Sequence, residues 1–154
     1  MSKIVDDSIL NKFNIILGNQ LIAINQHFLH ARILKYMGFM KLADYEYKES
    51  IQQMKYADAL VEKILLLGGI PNLQEIGEYK VGKDSEDILR CDLQTIEKTK
   101  NDLINFIELQ NSANHNHGLD ILKNILINAN ERANFIKSQL KDIEEYGVKQ
   151  YLAS

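Results

Sequence analysis

The chain has little that would break a helix or cross-link a fold. Of 154 residues, one is proline, Pro71, and one is cysteine, Cys91. A single cysteine excludes an internal disulfide and points to a reducing cytoplasm. A single proline leaves almost nothing to interrupt long helices. No apolar run approaches the roughly 20 residues that span a bilayer. The opening MSKIVDDSIL has no apolar core before a small-residue cleavage site, so no signal peptide is expected. Charge of one sign is also lacking. A net charge of −3 is too small to favour nucleic acid or an anionic membrane as partner. What remains is an ordinary globular mixture, 45% hydrophobic and 25% charged. It is long enough for a single domain over 1–154 with a substantial core.

Four long segments have helical periodicity, at about 8–37, 41–67, 85–111 and 119–146. Asp7 or Ser8 is expected to cap the first, and Asp84 or Ser85 the third. Gly68-Gly69 ends the second, and Gly118 and Gly147 bracket the fourth. The tail VKQYLAS has room for a turn or two of helix. Short links after the first and third helices make antiparallel hairpins. The long link GGIPNLQEIGEYKVGKD between the second and third suits a crossover along the bundle. The fold expected is all-α: a ferritin-like four-helix bundle with a long crossover between helices two and three and a short C-terminal helix.

The first two helices carry more apolar surface than one core requires. Helix one has a stripe through Phe13, Leu17, Gln20, Ala23, His27, His30 and Leu34, and a second through Leu21, Ile24, Asn25 and Phe28. Helix two has a stripe through Leu42, Glu49, Gln53, Tyr56, Leu60, Ile64 and Leu67, and a second through Tyr47, Ile51, Met54, Val61 and Leu65. A monomer's surface helix needs only one such stripe. The second pair implies an intersubunit contact made by this hairpin.

Bundles of this kind build di-iron sites from one Glu on each of two helices and Glu-x-x-His on each of the other two. The i,i+3 spacing sets Glu and His on one face. No Glu-x-x-His occurs anywhere in this sequence.

The runs LGNQLIAINQHFLHAR, YEYKESIQQMKYAD, GGIPNLQEIG and ILRCDL are similar to bacterioferritin. The resemblance covers about 8–152 and weakens from about Gln94 onward. It implies a cage of twenty-four subunits built from twofold dimers, as a homo- or hetero-oligomer. It also implies haem b across each dimer axis, ligated by one methionine from each subunit. The family's E-M-K-H-A-D run matches Gln53-Met54-Lys55-Tyr56-Ala57-Asp58, so Met54 takes the place of the haem ligand. Leu21, Ile24, Asn25, Phe28, Tyr47 and Ile51 would line the slot around it. Lys55, with His27 or Tyr47, would address the propionates. Thioether ligation favours ferrous haem and raises its potential. A methionine on an apolar stripe is by itself ordinary packing; the resemblance is what turns the reading to haem.

The same resemblance places the di-iron ligands at Gln20, at Gln53 and Tyr56, at Ile96, and at Ala129 and Arg132. None of these is a ligand of the expected type. Neutral amides, apolar groups and a fixed guanidinium cannot replace anionic oxygens and imidazole. Glu97 and Glu131 lie one residue off, about 100° around the helix. No di-iron centre is therefore expected. A hydrogen-bonded plug of Gln20, Gln53, Tyr56 and Arg132, with Glu49 or a water, is expected in its place.

Other polar residues are read more plainly. His27 and His30 have an i,i+3 spacing able to bind a metal, but with no carboxylate expected nearby they are read as satisfied core histidines. His27 stands where the family usually has tyrosine. His115 and His117 belong to a polar turn, and Cys91 is a small packed residue. The function expected is iron storage by a haem-binding, cytoplasmic subunit without its own ferroxidase centre. It would co-assemble with a ferroxidase-active subunit and relay electrons to the stored iron mineral, with a small ferredoxin as donor. The alternatives are a purely structural cage subunit without haem, or a hollow cage that stores no iron.

Overall fold

The computed structural model describes residues 3–75 and 77–153. Its elements are α1 (Asp7–Met37), α2 (Met40–Leu66), α3 (Ser85–Ser112), α4 (Leu119–Tyr146) and α5 (Val148–Ala153). The bundle, the long crossover and the short last helix agree with the sequence reading. Helix ends shift by about a residue. Asp6 takes the extended N-cap conformation of α1, so the cap is earlier than Asp7 or Ser8, and its side chain makes no cap bond. Asp84 does cap α3, accepting from the Asp87 N–H at 2.8 Å. Gly38 ends α1 at φ 92°, a conformation that a Cβ disfavours. The N–H groups of Gly38 and Phe39 then close on the carbonyls of Lys35 and Leu34.

Three cross-helix pairs fix the α1–α2 register. They are Gln20 with Gln53, His27 with Glu46, and Ser50 with the Ile24 carbonyl. Their residue numbers rise on α1 as they fall on α2, so the helices run antiparallel. The crossover lies along α1. Asn14 bonds the backbone of Ile70 and Asn72, Gln26 accepts from the Lys80 N–H, and His30 accepts from the Gly82 N–H. Gly82 sits so close to the Ile88 backbone that a Cβ there would collide with it.

The apolar core is in two parts. One gathers Phe13, Leu17, Leu60, Ile64, Leu103, Phe106 and Leu122; the Phe13 and Phe106 rings meet edge to face at 4.9 Å. The other gathers Leu34, Leu42, Ile88, Leu89, Ile96, Ala129 and Ile136. Between them, α1 from Gln20 to His30 and α2 from Glu46 to Gln53 turn polar side chains inward. Among the described residues, no helix is long and apolar enough to cross a membrane.

Candidate functional site

The polar layer begins at the positions where the sequence resemblance places di-iron ligands. Gln20 and Gln53 are fully buried and bonded, Gln20 Nε2 donating to Gln53 Oε1 at 2.6 Å. Gln53 Nε2 then donates to Asn128 Oδ1 at 2.9 Å and to Glu49 Oε2 at 3.2 Å. Asn128 Oδ1 also accepts from Arg132 Nε at 2.9 Å. Arg132, only 2% exposed, reaches on with Nη1 to His27 Nε2 at 3.0 Å. Ile96 and Ala129 pack in the second apolar cluster. Glu97 is half-buried and pairs with Lys100 and Lys137, while Glu131 is exposed; neither enters the layer.

The expected plug therefore forms with a different membership. Tyr56 is half-buried on α2, and none of the hydrogen bonds that link the layer comes from it. Asn128 and His27 take its place. Glu49 stands 3.9 Å from Arg132 Nε, a loose ion pair.

The reading of His27 and His30 as histidines without carboxylates is corrected by the tertiary structure. Glu46 of α2 and Asp92 of α3 both face them, fully buried. His27 Nδ1 contacts Glu46 Oε2 at very short range and lies 3.9 Å from Asp92 Oδ2. His30 Nδ1 donates to Asp92 Oδ1 at 2.8 Å, and Gln26 Nε2 donates to the same oxygen at 3.0 Å. Because His30 Nε2 accepts from Gly82, its ring proton belongs on Nδ1. Because Arg132 donates to His27 Nε2, the His27 proton belongs on Nδ1 as well.

Burial and mutual charge set the protonation of this cluster. Burial lowers His27 to about 4, against the pull of Asp92 and with the push of Arg132 and His30. The ring is neutral near pH 7. Burial raises the Glu46 carboxyl well above its usual range, helped by the charge of Asp92 and a hydrogen bond to it. Burial alone would raise Asp92 too, but the hydrogen bond from Glu46 and the two histidines hold it below the usual range. Of the two carboxyls, Glu46 is therefore the one more readily protonated, and a proton shared between them relieves their mutual repulsion.

Periodicity held the signal for both missed carboxylates. Glu46 continues the buried stripe of α2, four residues after Leu42 and four before Ser50. Asp92 falls between Leu89 and Ile96 on the buried stripe of α3. An acid in such a stripe needs a partner.

The proposed haem residues lie on the outer side of the α1–α2 hairpin. Met54 is 57% exposed, with Phe28, Tyr47 and Ile51 also exposed and Leu21, Ile24 and Asn25 half-buried. The Arg32 guanidinium lies over both the Phe28 and Tyr47 rings, at 5.5 and 5.4 Å, so the two stripes share one face. Lys55 is exposed beside Met54. His27 points into the core and does not belong to this face. His115 and His117 stay in the α3–α4 turn, where Gln110 bonds the His117 backbone in both directions. Cys91 is half-buried.

An antiparallel bundle with a long α2–α3 crossover and a polar layer at mid-height defines a ferritin-like protein. The Ferritin-like domain family matches residues 10–146. A bacterioferritin of Streptomyces coelicolor is 30% identical over 149 residues, covering 97% of this chain and 89% of that protein. A bacterioferritin of Mycobacterium leprae is 32% identical over 152 residues, covering 96% and 93%. One of Brucella melitensis is 26% identical over 146 residues, covering 95% and 91%. The chain belongs to the bacterioferritin family within the ferritin-like proteins. Iron storage in an oligomeric cage is the role that this family carries.

Proposed function

We propose that this chain is a haem-bearing iron-storage subunit that has no ferroxidase centre of its own. It works in a cytoplasmic cage of twenty-four, beside subunits that oxidise Fe(II). The observation that carries the reading is a contrast between two faces of α2. Met54 stands exposed on an apolar, aromatic surface, while Gln53, one residue away, is buried in an amide and guanidinium network.

The donor set at the expected di-iron positions does not fit two iron ions. Gln20 and Gln53 offer neutral amides already bonded to each other, Ile96 and Ala129 offer no donor, and Arg132 holds a fixed charge there. No oxidation step is routed through these residues.

The residues around Met54 do fit a haem. Met54 of each of two copies of the face, related by a twofold axis, would hold the haem iron through its thioether. Phe28, Tyr47 and Ile51, with Leu21, Ile24 and Asn25, would exclude water from it. Lys55 supplies a cation at the rim for a propionate. A haem b held by two thioethers supplies a one-electron centre of raised potential. The division of labour follows: partner subunits load the mineral, and this subunit passes electrons from a small ferredoxin inward to release it.

The absorption spectrum of the purified cage tests the haem, with a low-spin six-coordinate spectrum expected. A colourless cage would favour the second reading, a structural subunit in which Met54 only packs. Mixing the homopolymer with Fe(II) under oxygen tests the other half. Slow oxidation is expected, and fast saturable oxidation overturns the absence of a ferroxidase centre. Native mass spectrometry of particles from the source cells should find mixed cages.

A further inference from the structure

His27, Glu46 and Asp92 form the one group of three metal-ligating side chains that converges among the described residues, all three buried. We propose that they form a mononuclear site for a first-row divalent cation, and that Arg132 closes the site when no cation is bound. The site is distinct from the di-iron positions, from which none of its ligands comes. It rests on these side chains alone, so it stands or falls separately from haem at Met54.

Convergence is the first observation. The three ligand atoms lie within 4.8 Å of one another. Ligands of a common cation at about 2.0–2.2 Å stand up to roughly 4 Å apart. Closing the set therefore needs movements of ångström size within a rigid bundle.

The ligands are also aimed from behind. Asp92 Oδ1 is occupied by Gln26 and His30, and His30 is itself held by the Gly82 N–H of the crossover. Apart from the proton the two carboxyls share, Asp92 Oδ2 and Glu46 Oε1 have no hydrogen-bond donor, and that proton must leave when a cation binds. Outer partners that orient a carboxylate and leave one oxygen free are the usual support of a metal ligand. One imidazole and two carboxylates suit Fe(II), Mn(II), Co(II) or Zn(II), whereas Ca(II) would require more oxygen donors. Because the ligands come from α1, α2 and α3, a cation here would tie three helices together.

Arg132 sets the condition for entry. Its Nη1 donates to His27 Nε2, which keeps the ring proton on Nδ1, the nitrogen that faces the carboxylates. For Nδ1 to bind a cation that proton must leave or move to Nε2, where it would meet the guanidinium donor. Asn128 Oδ1 and Glu49 hold its Nε side, so Nη1 can release His27 while the guanidinium keeps those partners. The guanidinium acts on the site as a positioning and gating group, through His27.

Assembled wild-type protein, crystallised and soaked in Co(II), decides the site by anomalous diffraction at the cobalt edge. Density among His27, Glu46 and Asp92 is expected, with cobalt absorption bands that disappear in Glu46→Gln. An empty cluster in the wild type, with cobalt only at surface carboxylates, overturns the site. Identical Co(II) titrations of wild type and Glu46→Gln also overturn it. Arg132→Gln is expected to bind Co(II) at least tenfold more tightly. Unchanged or weaker binding, in a variant whose circular dichroism matches wild type, overturns the gating role of Arg132.

Discussion

Arg132 is held by geometry rather than by a tight ion pair. Its nearest anionic oxygen on Glu49 is 3.9 Å away, and its close partners are the neutral Asn128 and His27. Burial lowers its pKa, and Glu49 is the first of the groups that oppose this. Arg132→Glu would place another carboxyl beside Glu46, Asp92 and Glu49 and leave His27 without its donor. Disrupting a buried charged network in this way costs about 3–5 kcal/mol. The expected outcome is a large fall in melting temperature, and an unchanged value would mean that the network does not hold the core. Met54 lies at the other extreme. Its side chain is mostly exposed in the single chain, so Met54→Leu should change the unfolding free energy by no more than about 0.5 kcal/mol. Haem absorption is expected to vanish; retained haem with an intact low-spin spectrum would move the axial ligand elsewhere.

Helix ends and the crossover decide how the elements meet. Asp84 caps the first turn of the helix that carries Asp92 with its side chain, whereas α1, α2 and α4 start without a side-chain cap bond. Asp84→Ala should cost about 1 kcal/mol, measured by chemical unfolding. No loss would show that the neighbouring acidic side chain of Asp87, which bonds the Lys83 N–H, already holds that turn. Gly82 matters for a different reason. A Cβ at this position meets the backbone of Ile88, which cannot rotate away. Gly82→Ala should push the crossover off His30 and free its Nε2. The expected result is faster hydrogen exchange across 77–83, and exchange equal to wild type would show that the crossover is held by Gln26 and Asn14 alone.

At the scale of the whole molecule, the α1–α2 hairpin is apolar on two sides. One side packs on α3 and α4, and the other presents Phe28, Tyr47, Ile51 and Met54 to the outside. A twofold contact on that outer face would cover both stripes in each subunit. Ile51→Lys places a charge on this face. Sedimentation should then show the assembly falling towards single chains with unchanged helix content. Full-size assembly by this variant would move the interface to another face.

The sequence by itself determined the number of helices, their ends to within about a residue, the long crossover and the loss of Glu-x-x-His. These depend on local rules: apolar spacing, capping residues, glycine at helix ends and the scarcity of proline. It also supplied two stripes on each of the first two helices, because the 3.6-residue period separates faces without knowledge of the neighbours. Only the tertiary structure decided which polar residues meet. His27 and Glu46 are on adjacent helices, and Asp92 and Arg132 arrive from two others, at sequence separations of up to 105 residues. Tyr56 lies on the expected spacing, yet it is only half-buried and contributes no bond to the network that joins Gln20, Gln53, Asn128 and Arg132. Spacing names a face of one helix. The register and rotation of four helices, set by packing, determine which atoms on those faces come within bonding distance.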